Sequence, residues 1–321
     1  MPTVEAVTSN DLDRVLPLLR VHDPRQDDEA WARLISPPWA PGGTNAGWVL
    51  LDGDTVVGFL GAVFSERRIG GAERRFCNLT TWYVDPDHRE SSLALLRPVT
   101  RLRDHTVTDL SPNAAAARIS KRLGFTELDT GLVLLGPIGS TDTGRSPVAV
   151  HVDEPDATAI LPDSARRLAE DHADLPGVHH LVAETSTGAL LVIVGRVPGG
   201  RRPYSHIHHV SDPDLFRTHH AAVRRALQDG VGVPLIIDAR FSWAAGLPNA
   251  RRLVENSLKL FKPCDDLPTD QIDNLYSELV LLPFSQLPPS AGPLGQRMTA
   301  RVRRAVEPAL TVLRREGATQ R

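Results

Sequence analysis

Leu12, Val15, Leu16 and Leu19 recur at the spacing of one helix face, directly after a polar cap region at residues 8–10. A short strand over 4–7 precedes this helix, and a second helix is expected near 28–34. From Trp48 the period changes. Apolar runs at 48–51, 55–64 and 76–84 are separated by Asp52-Gly53-Asp54 and by a turn around Gly70-Gly71. Two tight turns between apolar runs predict an antiparallel meander. A helix over about 91–103, a strand near 106–110, a helix over 113–123 stopped by Gly124, and a strand at 132–135 complete the order βααβββαβαβ.

The pattern then repeats. Asp85-Pro86-Asp87 returns as Asp212-Pro213-Asp214 at an offset of 127. Asn113-Ala114 returns as Asn249-Ala250, with Phe125 and Phe261 each twelve residues further on, at an offset of 136. The tetrapeptide at 132–135 returns unchanged at 279–282, offset 147. Strands at 178–183, 189–197 and 204–210, then a helix over about 217–229, follow the same course as the first half. Three matches in one order predict a duplicated domain, with residues 1–140 as the first copy and 150–284 as the second. The stretch 137–155 reads as a linker, and 285–321 as a Pro-rich spacer with a basic helical tail. The expected fold class is α/β, a mixed and mostly antiparallel sheet flanked by helices, present twice.

Composition narrows the function classes. With 321 residues, 41% hydrophobic and 23% charged, the chain is long enough for two cores and is not disordered, collagenous or coiled-coil as a whole. The apolar run 56–64 is about half of what a membrane helix needs. The acidic, polar opening (Glu5, Asn10, Asp11, Asp13) is not that of a secretory leader, so a cytoplasmic protein without a membrane span is expected. Two cysteines, Cys77 and Cys264, make neither a disulfide framework nor a zinc site. From residue 284 onward, seven arginines face two glutamates, a net +5, while residues 1–283 carry 29 basic and 37 acidic side chains, a net −8. The tail's apolar stripe (Met298, Val302, Val306, Leu310, Leu313) is expected to pack on the acidic body or on a second copy of the chain, giving a homodimer. Nucleic acid is not an expected partner.

The run VDPDHRESSLALL at 84–96, followed by NAAAARISKRLGF at 113–125, resembles the GCN5-related N-acetyltransferases (GNAT) over nearly all of residues 1–140. The resemblance implies a tandem acyltransferase fold with acetyl-CoA or another acyl-CoA as co-substrate and no metal. In that family a strand runs into a glycine-containing loop whose amides, at a helix N-terminus, hold the pyrophosphate. The matching cofactor-binding positions are Tyr83, Val84, Arg89, Glu90, Ser91, Ser92 and Ala94, with Asn113 at the next helix start. Ser92 replaces the usual glycine, and its Cβ limits close backbone approach. Ser120 stands where many relatives have a tyrosine that protonates the leaving thiolate. The second copy is more remote. Its loop, 212–223, has no glycine and carries His219 and His220, and Asn256 takes the tyrosine position.

The resemblance also places the reacting groups. Asn78, on the central strand of the first copy, and Ser120 are catalytic candidates. So are His206 and His208, which share one face of the equivalent strand in the second copy. Imidazole titrates near neutral pH, as a general base for an acceptor amine requires; a metal site would need further convergent ligands. Asp109 and Asn113 flank a strand end where polar groups could meet a substrate. Cys77 reads as a small core residue. The implied function is acyl-CoA-dependent acyl transfer to a small-molecule amine, with the cofactor in the first half. The alternative is a non-catalytic tandem fold that binds an acyl-CoA, another metabolite or a protein partner.

Overall fold

In the computed structural model of the protein, residues 2–40, 42–129, 131–138, 148–197, 203–232, 234–253 and 258–282 are described. The chain divides into two compact units. The first comprises Met1–Leu128, Asp174–Pro176 and Leu258–Leu282, and the second includes Asp129–Ala173 and Gly177–Ser257.

The first unit opens with β1 (Thr3–Thr8), α1 (Leu12–His22) and α2 (Asp28–Ile35). Thr8 and Asp11 form a reciprocal cap ahead of α1, and Asp27 caps α2 by accepting from the Ala30 amide at 2.7 Å. The meander follows as β2 (Asn45–Asp52), β3 (Thr55–Ile69) and β4 (Ala72–Val84). After it come β5 (Thr106–Asp109), α3 (Ala114–Arg122) and β6 (Thr126–Asp129).

The second unit takes β7 (Leu132–Leu135), β8 (Ala149–Val152), α4 (Asp163–Asp171), β9 (Val178–Thr185) and β10 (Gly188–Val197). Beyond these lie β11 (Tyr204–Val210), α5 (Pro213–Gly230), β12 (Leu235–Asp238) and β13 (Ala250–Leu253). The chain then returns to the first unit with β14 (Lys259–Lys262) and a single turn, α6 (Glu278–Leu281).

Each unit holds one seven-stranded sheet, in the orders β1-β2-β3-β4-β5-β14-β6 and β8-β9-β10-β11-β12-β7-β13. Position by position the two orders are the same, and the strand next to the last has been exchanged. β14, from the second half of the sequence, pairs antiparallel with β5, while β7, from the first half, pairs antiparallel with both β12 and β13. All four residues of β7 are buried, as a strand flanked on both sides and covered on both faces requires. The first core gathers Leu50, Leu60, Leu79, Leu95, Val107 and Leu260, and the second Val133, Leu135, Val192, Ile207, Phe216 and Leu235.

The exchange revises the repeat. Residues 279–282 belong not to a strand but to the α6 turn and its C-cap, started by Ser277, whose side chain accepts from the Leu279 amide. The structural partner of β7 is β14, and the step from 132 to 259 is the same 127 that separates the two Asp-Pro-Asp motifs. Asn249-Ala250 opens β13 instead of a helix, with Asn249 at φ +56. The copies therefore do not follow the boundaries 1–140 and 150–284, and the expected linker already contains β8. Asn256, the spacer and the basic tail lie outside the described residues, and among those described no helix is long and apolar enough to cross a membrane.

Leu260 is fully buried in the first core although it comes from the second half of the chain. Leu260→Ala is expected to cost about 2–5 kcal/mol. In hydrogen exchange the protection lost should be that of the β5 amides, and retention of β5 protection would show that β14 does not complete this sheet.

Candidate functional site

β4 carries an extra residue relative to β3. The register runs from Phe59↔Tyr83 to Gly61↔Thr80, so two steps on β3 meet three on β4, and Thr81 sits at φ +48. Glycine is needed opposite, because a Cβ on Gly61 would lie 2.8 Å from the Thr80 methyl carbon. The parallel register with β5 ends at Leu79↔Asp109, whereas β4 runs on to Val84. Beyond the bulge, β4 thus offers an edge past the end of β5. Polar side chains collect where the two strands part.

Asn78, 2% exposed, accepts a hydrogen bond from the Thr108 hydroxyl at 3.0 Å and donates its amide to Glu278. Ser111, just past β5, donates to the other oxygen of Glu278 at 2.5 Å. Ser120, on α3, donates to Asp109 at 3.3 Å. Lys259, buried on β14, adds a positive charge that favours the ionised form of Glu278. Burial nevertheless dominates and raises the Glu278 carboxyl above its ordinary range. Asp109 is pushed up to about 7, first by desolvation and then by the charge of Glu278, with the Ser120 hydrogen bond acting in the opposite sense. A carboxylate poised near neutrality is suited to accepting a proton from a bound amine.

Asn78 and Ser120 therefore belong to one cluster, each holding a carboxylate. The residues matched to the cofactor loop are arranged differently from the expectation. In place of a loop and a helix over 91–103, the chain forms 3-10 turns over Pro86–Leu96 and Val99–Arg101. The cause is local: Asp85 makes no side-chain cap, Pro86 starts the turns, and Pro98 separates the first run of turns from the second. The amides of Ser91, Ser92 and Ala94 lie inside this i→i+3 ladder and not at an open helix start. Arg89 and Glu90 are exposed, Val84 is buried in the core, and the Tyr83 ring lies 5.2 Å from that of His22. The Asn113 side chain caps α3, accepting from Ala115 and Ala116 at 2.9 Å each. Cys77 is fully buried, and burial raises its thiol.

In the second unit β11 carries the matching bulge, between Ile207 and His209, which places His208 at the position of Thr81. His206 and His208 are buried with ring centres 4.7 Å apart. His206 Nε2 lies 3.1 Å from Asp238, the last residue of β12; in the strand register the residue that matches Asp109 is Ile236, two positions before it. Asp238 is also paired with Arg240 at 2.8 Å, and Arg240 lies 3.6 Å from Asp129. His206 is thus part of a buried ionic network, and His208 is buried against it. The α5 helix is kinked at His219, and its N-terminus is occupied by Asp212, which accepts from the amides of Asp214 and Leu215.

Sequence reasoning missed Glu278 and Lys259. Glu278 stands in NLYSELVLL, where the apolar run masks the capped turn; the Ser277 and Glu278 pair ahead of that run is the signal that marks a helix start.

No protein-family model and no curated protein matches the sequence. Solved structures do. A GCN5-related N-acetyltransferase from Anabaena variabilis ATCC 29413 aligns with a TM-score of 0.56 at 12% identity, over 83% of this chain and 73% of that one. A probable N-acyltransferase from Enterococcus faecalis V583 gives 0.54 at 11%, over 82% and 72%, and a GCN5-related N-acetyltransferase from Kribbella flavida 0.52 at 16%, over 83% and 72%. With its bulged fourth strands and two sheets of one strand order, the chain has the fold of the GCN5-related N-acetyltransferases, in tandem.

Proposed function

We propose that the first unit transfers an acyl group from an acyl-CoA to an amine, with Asp109 as the proton acceptor. The observation that carries this reading is the position of Asp109: at the end of β5, where β4 and β5 part, beside Ser120, with its carboxyl near 7. The acyl-CoA supplies the activated thioester. The edge of β4 beyond the bulge suits an extended, amide-containing arm, and exposed Arg89 is the cation assigned to the phosphates, while the 3-10 ladder leaves them few free amides. Asp109, ionised above about pH 7, takes the proton that the amine loses as it attacks. Ser120 donates to Asp109 and so holds its orientation. The 3-10 turns favour one second reading, a unit that binds a metabolite without turning it over.

Titration calorimetry with acetyl-CoA and longer acyl-CoAs, followed by thiol release over an amine panel, separates these readings. The expected result is binding with release, the rate rising with an apparent pKa of about 7, and a loss of about 10²–10⁴ in kcat for Asp109→Asn with binding retained. Binding without release would leave the second reading, and no binding would overturn the acyl-transfer reading.

Arg89→Glu is expected to weaken CoA binding by about 1–3 kcal/mol, the scale of a charge-assisted hydrogen bond. Ser92→Gly should bring no gain in the same titration, because its amide lies within the 3-10 ladder.

The Asp109 proton also predicts a stability profile. The folded state holds this proton up to about pH 7, whereas the unfolded chain releases it near 3.8. Its contribution is full below about pH 4 and is lost as pH rises through 7, on the order of a few kcal/mol at about 1.4 kcal/mol per unit. Urea denaturation across pH 4–8 should show this fall in wild type and a flatter curve in Asp109→Asn.

A further inference from the structure

Glu278 lies 200 residues from Asn78 and 167 from Ser111, yet bonds both. Its place depends on the segment before it. Asp273 receives both terminal nitrogens of Arg67, on β3, at 2.8 and 2.5 Å, and the two side chains are each 6% exposed. The Arg67 guanidinium lies 5.4 Å from the ring centres of Phe76, on β4, and of Tyr276. Asp273 also accepts from the Leu275 amide at 2.9 Å, and Tyr276 turns the chain at φ +57. Ser277 then donates to the Asn274 carbonyl at 2.6 Å and starts α6, of which Glu278 is the first residue. A bidentate pair, planar and stacked on aromatic rings, fixes both position and direction. It lies on the same two strands, β3 and β4, that carry the bulge.

We propose that residues 273–278 are a working part of the first unit's site: Glu278 is a positioning residue that governs the proton of Asp109, and the Arg67–Asp273 pair holds Glu278 there. The proposal rests on the reading of Asp109 as proton acceptor. Two carboxylates at one strand end cannot ionise independently, because each negative charge opposes the other. The groups that face them are Asn78 on β4, Thr108 on β5, Ser111 beyond it, Ser120 on α3 and Lys259 on β14. Of these only Lys259 brings a positive charge, against two carboxylates. The competent unit is therefore not the first 130 residues but those residues completed by 258–282.

The test uses the full chain and reads the carboxyl itself. With carbon-13-labelled aspartate, the Asp109 resonance, identified by its loss in Asp109→Asn, is followed through a pH titration. Wild type should titrate near 7. Glu278→Gln, which keeps the shape and removes the charge, should lower that midpoint by about one unit or more. The double variant Arg67→Met/Asp273→Leu removes the buried pair without leaving one charge unmatched. It should lower the midpoint in the same direction, a response that a purely structural pair would not give. An unmoved midpoint in Glu278→Gln would overturn the proposal; if that variant does not fold, an unmoved midpoint in the double variant does so. A shifted midpoint in a chain that releases no thiol from any acyl-CoA would keep the carboxylate pair and overturn only the acyl-transfer reading.

Discussion

The edge of a four-residue strand is what the rest of this structure depends on. β5 and β12 are short, buried, and paired on one side with a longer strand that bulges away from them. Their second edge would leave backbone donors and acceptors buried without partners, at a cost of the order of 1–3 kcal/mol each. In both units another strand fills that edge, and in both it comes from the other half of the sequence. The exchange has a chemical consequence. By placing β14 beside β5, it also places the chain after β14 against the end of β5, which is how Glu278, with Lys259 near it, comes to that strand end.

Near the ends of their fifth strands the two units treat a carboxylate differently. Each fifth strand ends in an aspartate, half-buried Asp109 in one and fully buried Asp238, two register positions further on, in the other. Asp238 is neutralised in place by Arg240 and joined to His206, an arrangement that satisfies the charge and closes the site. Asp109 has no such counterion at hydrogen-bond distance in its described contacts; its direct side-chain partner is a serine hydroxyl, and its strongest charged neighbour is another carboxylate. Desolvation without compensation raises proton affinity. The aspartate that ends the fifth strand is thus ion-paired in one unit and has a raised proton affinity in the other, and the proposed function rests on the second of these.

Much of this was legible in the sequence, and the part that was not has physical causes. The meander, α2, the α3 cap at Asn113 and the turn at Gly124 follow from period and capping residues. So does the duplication, because Asp85-Pro86-Asp87 and Asp212-Pro213-Asp214 both follow a bulged fourth strand. The identical tetrapeptides at 132–135 and 279–282 misled, since four apolar residues fit a buried strand and a buried helical turn equally well. The true counterpart, Lys259–Lys262, has a different appearance because its first residue serves an ionic cluster. Strand exchange leaves no local mark at all: pairing partners are chosen by the whole sheet. Asn78 and Ser120 were found from the resemblance, but the carboxylate that each holds could be placed only by the fold.

The turns that follow the two fourth strands obey the same logic of prior occupancy. A helix start attracts phosphate when its first amides are free. At α5 they are taken by Asp212, and a carboxylate there repels a second anion. Along Pro86–Leu96 they are taken by the 3-10 ladder, which carries no capping carboxylate on Asp85 and leaves Arg89 exposed beside it. The two losses are not equivalent. One start is occupied by a carboxylate side chain, whereas at the other the amides lie in the ladder with an exposed arginine beside them. On the proposed function, a phosphate in the first unit would meet side-chain charge, which is flexible and salt-sensitive, while the reacting end would meet the bulge of β4 and the carboxylate pair at the end of β5.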